Sequence, residues 1–364
     1  METSRRSVLK AGGTAALLSV TSLAGCSGIL GGGNVSPADY QYDPATLVET
    51  QNRFFGLADY AGLYEARENF PESTQESFES SEDTPVNPED IETMVGVGGA
   101  QISMSGSGGG AFFGSLGVLG SFDKSTIEES IQSEDDAQQS GEYEGFTLYE
   151  NTGSESSNVV GGVPTDSTAT AAAGDGAVII GFAAADGEGE PSVTGDQAAR
   201  TMIDAGNGDV EMLRDNSDYA SSLRDRIGDS SVMMGGEVDP GLVEMATQSG
   251  GMQTDFVNGI RAGGFGMTVD GETTTMSAVG LYTDSQAAED SGVVELVDFA
   301  SDQAVDENPD IDSLDAEYDG NAVVVSVEGQ TQTIFDQGMG GGAGGGFDVR
   351  RPQAALGRVE SIRQ

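Results

Sequence analysis

The chain of 364 residues carries 61 acidic against 15 basic side chains, a formal net charge of -46, with no His, no Trp and one Cys. This balance excludes a nucleic-acid partner, because no basic patch is present to displace counterions from phosphates, and it disfavours direct adhesion to an anionic membrane surface. Without His there is no His-based triad and no His-ligated zinc, and a single Cys allows no disulfide within the chain.

The first element in chain order is an address. Ser4-Arg5-Arg6-Ser7-Val8-Leu9-Lys10 resembles the twin-arginine export motif, departing from it only at Val8, where Phe is usual. The run from Ala11 to Leu23 that follows is rich in Gly, Ser and Thr and short of the ~20 apolar residues that a permanent span needs. A basic start, an apolar middle and a small-residue end form the pattern of a processed signal peptide. Leu23-Ala24-Gly25-Cys26 resembles a lipobox. That resemblance implies that Cys26 becomes the first mature residue and carries a lipid, that Arg5 and Arg6 direct export, and that the cargo folds before it crosses. The bilayer is then met through the lipid alone. Asn34-Val35-Ser36 is an N-glycosylation sequon on an exported surface.

The expected organisation is a signal peptide over 1–25, a lipidated Cys and flexible tether over 26–50, a first α+β repeat over 51–230, a second over 231–330, and a Gly-rich linker with a disordered tail over 331–364. Arg53 to Tyr60 reads as a strand, Ala61 to Phe70 as a helix stopped by Pro71, and Glu72 to Glu89 as an acidic solvated loop. Val95 to Met104 and Ala111 to Phe122 read as a hairpin, with a helix from Ser125 capped by Ser121 or Asp123. Tyr143 to Glu150 and Ala177 to Phe182 are strands flanking a Ser/Thr/Gly/Ala-rich loop. Helical periodicity covers Asp196 to Ala205 and Asp218 to Ile227.

The second half retells this order. Val232 to Val238 parallels the first strand and Leu242 to Thr247 its helix. Ala262 to Val269 and Thr273 to Tyr282 form a hairpin across Asp270-Gly271-Glu272. Gln286 to Val305 is a helix, and Ala316 to Tyr318 leads to the buried strand Ala322 to Val327. The implied fold is α+β, with mainly antiparallel sheets, helices on one face, and two degenerate copies of a β-α-β-β-α-β-β unit.

Chemical motifs are few. Ser121-Phe122-Asp123-Lys124 fits the Ser-x-x-Lys pattern of penicillin-binding proteins but lacks the companion Lys-Thr-Gly, and a strand-to-helix junction explains it better. Gly340, Gly342 and Gly345 match a dinucleotide spacing inside a pure glycine tract with no leading strand. Asp306, Glu307, Asp310, Asp312, Asp315 and Asp319 offer oxygen ligands without the spacing of an EF-hand loop. No catalytic, cofactor or metal residue is assigned.

Only two Lys, Lys10 and Lys124, occur in the chain, and small residues abound. Such composition resembles proteins of extreme halophiles, and with its first segment the chain resembles haloarchaeal twin-arginine-exported lipoproteins of unknown function. The resemblance implies a lipid-anchored, non-enzymatic binding or scaffolding protein of the outer cell surface. An extracellular carboxylate- or metal-dependent hydrolase and a solute-binding lipoprotein of a transporter are the alternatives.

Removing Met1–Gly25, which carries Glu2 against Arg5, Arg6 and Lys10, takes the net charge from -46 to -48. At ~0.1 M salt such charges repel over ~10 Å, and at ~1 M over only ~3 Å. The mature domain is therefore expected to be folded in molar KCl and to lose structure on dialysis to ~0.1 M. Circular-dichroism melts at the two salt levels check this, and equal midpoints would contradict it.

Overall fold

The computed structural model describes residues 36–338 apart from 51, 81–85, 103–109, 133–136, 152–158, 161–162, 165, 186–191, 242 and 244–256. Its strands are β1 (Asn52–Asp59), β2 (Ile91–Ile102), β3 (Gly110–Gly120), β4 (Ala137–Tyr143), β5 (Phe146–Asn151), β6 (Val159–Val160), β7 (Val163–Pro164), β8 (Asp166–Gly174), β9 (Ala177–Ala185), β10 (Val232–Glu237), β11 (Ile260–Asp270), β12 (Thr273–Tyr282), β13 (Ile311–Asp319) and β14 (Ala322–Gln330). Its helices are α1 (Tyr60–Ala66), α2 (Glu72–Ser80), α3 (Lys124–Gln132), α4 (Gly195–Asn207), α5 (Leu213–Asn216), α6 (Asp218–Ile227), α7 (Ser285–Asp290), α8 (Val293–Glu307) and α9 (Thr331–Gly338).

Twelve strands form one antiparallel sheet in the order β13-β14-β12-β11-β10-β1-β2-β3-β9-β8-β5-β4, and β6 pairs only with β7. The expected α+β class is what the chain adopts. At the centre, β1 and β10 pair antiparallel from Arg53 opposite Glu237 to Ala58 opposite Val232. From that seam the chain repeats itself outward. β1-β2-β3 and β10-β11-β12 run to either side, a helical segment then carries the chain to the sheet edge, and a meander returns inward. The return uses four strands in the first half (β4, β5, β8, β9) and two in the second (β13, β14).

Hairpin turns fix this register. The two-residue turn Glu144-Gly145 joins Tyr143 to Phe146, with φ of 45° and 87° at its two residues, the left-handed pair that a tight hairpin needs. Tyr143 thus ends one strand and Phe146 begins the next, so the single strand expected from Tyr143 to Glu150 is a hairpin. The Ser/Thr/Ala-rich segment expected as a loop contains β8, whose Ala171, Ala172 and Ala173 are buried. Small side chains there leave room for covering layers and hide the hydrophobic signal of a strand.

Both faces of the sheet are apolar at the centre, so both are covered. On the front face Phe55, Leu57, Val95, Val97 and Ile179 meet Ala199, Met202 and Ile203 of α4, Leu213 of α5, and Leu223 and Ile227 of α6. On the back face Val232 and Met267 meet Leu63 of α1, Phe78 of α2 and Phe335 of α9. Further out, Tyr149 and Ala171 meet Ile127 of α3, and Val323 meets Ala288 of α7 and Val294 of α8. The helix layer expected on one face is thus the back one, and α4 to α6 add a second layer on the front.

Other boundaries move for local reasons. Residues 36–50, expected as part of a tether, form two short 3-10 turns capped by Ser36 and Asp43, with Tyr40 and Tyr42 buried under α4 and against β3. Within the expected acidic loop, Glu72–Ser80 is helical because Phe78 docks on Phe70, Tyr60 and Tyr64. The expected helix Gln286 to Val305 breaks at Gly292, whose φ is 65°. Thr331–Gly338, expected as linker, is the helix that buries Ile334 and Phe335. The expected helix Leu242 to Thr247 falls mostly outside the described residues.

Helix α4 shows how its sequence folds and docks. Thr194 and Gln197 make a reciprocal capping box, and Gly208 closes the far end at φ 80°. Gly195 of α4 lies on Gly181 of β9, so close that a Cβ on Gly181 would strike the Gly195 carbonyl oxygen and the Ala199 backbone nitrogen. Gly181→Ala is therefore expected to destabilise the protein by about 1–3 kcal/mol or more, as overpacking does. Gly141→Ala, where a Cβ meets nothing within 4 Å, should change stability by less than ~0.5 kcal/mol. Thermal midpoints of the two variants in molar salt test the contrast, and similar losses would contradict the close approach.

Candidate functional site

Cys26, Arg5, Arg6 and Asn34 lie outside the described residues, as do Gly340, Gly342 and Gly345. The Ser-x-x-Lys segment is structural. Phe122 is buried in the back-face cluster, and Lys124 Nζ donates to the Gly145 carbonyl at 2.7 Å and pairs with Glu128 at 3.8 Å. Lys124 thus braces the β4–β5 turn. The acidic residues from the end of α8 through β13 are scattered in their uses. Asp310 accepts from Thr333 at 3.1 Å and Asp319 pairs with Arg226 at 2.8 Å. Among the described residues no group of three His, Cys, Asp or Glu is placed to hold a metal ion.

What the fold does assemble is a transverse furrow on the back face. Strand register aligns Gly280, Gly263, Gly236, Phe54, Gly98, Gly114 and Phe182 in one row across β12, β11, β10, β1, β2, β3 and β9. Partners directly opposite share a face, so five of these positions present bare backbone on the same side. Three half-buried rings occupy the first-copy end. Phe54 stacks on Phe112 at 4.9 Å between centroids with planes 11° apart, and Phe112 stacks on Phe182 at 5.6 Å and 21°. The glycines permit this. A Cβ on Gly98 would enter the Phe54 ring, and one on Gly114 would approach the Phe182 ring at 3.0 Å. The neighbouring row adds Met234 and Phe265, which are partly buried against the back-face core. The result is a strip of aromatic faces over a glycine floor, on strands paired on both sides.

A second arrangement lies on the front face, where the N-terminal segment crosses β1. Gln41 Nε2 donates to the carbonyls of Gly56 and Gly96 at 2.6 and 3.2 Å, and Tyr42 shares a hydrogen bond with Ser115 at 3.3 Å. Arg214 binds Asp39 at 2.7 Å, and Arg53 lies 3.5 Å from Asp43. The Arg224 guanidinium sits over the Phe55 ring at 4.9 Å from its centroid. Among the described residues its Nε and Nη2 are buried without a hydrogen-bond partner, as are the Tyr40 hydroxyl and the Gln41 Oε1. Burial, then the like charge of Arg214, pulls Arg224 down to about 10, partly offset by Asp39. Burial, then Asp39, pushes Tyr40 up to about 12.

The chain matches no family model and no curated protein. Among solved structures it is similar to TP0453. Crystal form IV superposes with a TM-score of 0.41 and 10% identity over 82% of this chain and 97% of that one. Form III gives 0.40 and 9% over 81% and 96%. Likeness at this level assigns nothing to this chain.

The furrow was not among the motifs drawn from the sequence, yet a signal was there. Gly98-Gly99, Gly235-Gly236 and Gly263-Gly264 are glycine pairs inside strand-like runs, which mark close approach of rings or backbone. A double-mutant cycle with Phe54→Leu and Phe112→Leu should give a coupling of ~0.5–1.5 kcal/mol, as stacked rings do. Strict additivity of the two losses would show that the rings do not stack in solution.

Proposed function

We propose that this chain is a lipid-anchored, halophilic protein of the outer cell surface, exported by the twin-arginine route, with a non-enzymatic binding or scaffolding role. The observation that supports a binding role is the aromatic strip of Phe54, Phe112 and Phe182 over its glycine floor. Flat ring faces on a sheet are suited to non-covalent contact, since aromatic groups supply large apolar area at low entropic cost. The strands that carry the strip are central and paired on both sides, so the surface is held in one shape before any partner arrives.

The address rests on the first residues. Cys26 ends the lipobox-like segment, and the Gly-rich composition of the run that follows it suits a tether. The acidic surface leaves the lipid as the membrane contact, in keeping with the charge.

Cys26→Ser is expected to release the protein into the medium or to block its processing, and Arg5→Lys with Arg6→Lys to leave precursor in the cytoplasm. Fractionation of cells expressing each variant, read by immunoblot, checks both. A Cys26→Ser protein that matures normally and remains with membranes would refute the anchor. Unchanged export of the double Lys variant would refute the route.

A further inference from the structure

We propose that the Arg224 guanidinium, at the junction of α6 with β1, holds a small monovalent anion through its Nε and Nη2 edge. The two N–H groups on that edge point the same way and form the fork that grips an anion with two parallel bonds. In Arg224 this edge is buried and has no acceptor among the described residues, while the flat face of the guanidinium is taken by Phe55. The chain has 61 acidic residues, so the missing acceptor is not for want of carboxylates. Arg53, Arg200 and Arg214 each meet one, at 3.5, 2.9 and 2.7 Å.

The local charge balance runs against that of the whole chain. Arg214 and Arg224 act on each other as like charges, and Asp39, the carboxylate that acts on Arg224, is already held by Arg214. A cation withdrawn from water without a counter-charge is disfavoured, and an anion bound there offsets that loss of hydration. The buried Tyr40 hydroxyl, on which Asp39 also acts, is a further donor with no partner among the described residues. Arg224 as a whole is half-buried, so the edge is close beneath the surface rather than deep in the core. In molar chloride mass action fills such a site even at low affinity, and the bound anion stabilises the folded state. The inference adds a specific anion contribution to the general screening of the acidic surface, and it stands apart from the furrow on the other face.

Chloride is the probe. The mature protein is melted at constant molar ionic strength while methanesulfonate is replaced by chloride, for wild type, Arg224→Met and Arg224→Lys. The wild-type midpoint is expected to rise with chloride and to saturate. Arg224→Met should lose that rise, and Arg224→Lys, which keeps the charge but not the fork, should lose most of it. Comparing the same two salts in each protein cancels their general effects on solvent. Should Arg224→Met not fold, wild-type crystals soaked in bromide decide alone, with an anomalous peak expected within hydrogen-bond reach of Nε and Nη2. Equal chloride responses in wild type and Arg224→Met, or no bromide at that edge, would overturn the proposal.

Discussion

The antiparallel ladder between β1 and β10 is the seam on which the rest of the sheet depends. These two strands are the first of each half, and the other ten strands of the twelve-stranded sheet are added outward from them. Phe55 and Leu57 point to the front and Ala58 and Val232 to the back, so the seam presents apolar side chains to both faces. An antiparallel sheet with one wet face needs only one covering layer. This one needs two, and the chain supplies them from different places. The back is covered from both halves, by α1 to α3 and by α7 to α9, and the front by α4 to α6, which lie between the halves in sequence.

Glycine sets how close those layers come. Gly235 and Gly264 on the front admit the Phe55 ring and the Ile227 side chain, and Gly181 admits the backbone of α4 itself. On the back, Gly98 and Gly114 admit the stacked rings. Large side chains are scarce, with aromatics at 6% and no Trp, so the core is built from close contact of small groups rather than from bulky ones. Each glycine in a strand costs roughly 0.5–1 kcal/mol of backbone entropy relative to Ala. A chain built this way has little stability in reserve against the self-repulsion of its acidic surface.

Much of the architecture was legible in the sequence because its signals are local. The turn Asp270-Gly271-Glu272 and the run Ala322 to Val327 announce a hairpin and a strand, though only Ala322 and Val323 of that run are fully buried, and the period of Ala198, Met202, Ile203 and Ala205 announces α4. The repeat of order around Val232 also survived, since β10 takes the place opposite β1. What escaped depends on contacts distant in sequence. Tyr40 and Tyr42 look like linker residues until α4 and β3 are placed around them, and Phe78 anchors a helix only when Phe70 is there to receive it. The furrow needs the register of seven strands. The unpaired edge of Arg224 has no sequence signature, because an arginine near a helix C-terminus is ordinary and favourable there.

One cooperative sheet with its seam at β1 and β10 is the central claim, and native-state hydrogen exchange in molar salt tests it most directly. Amides across the ladder, such as those of Phe55 and Met233, should be among the slowest to exchange. They should open with the same free energy as the buried strands β9 and β12 on either side, in one global event. Seam amides that exchange well before those of β9 and β12 would mean that the two halves part as separate units, which would contradict the account.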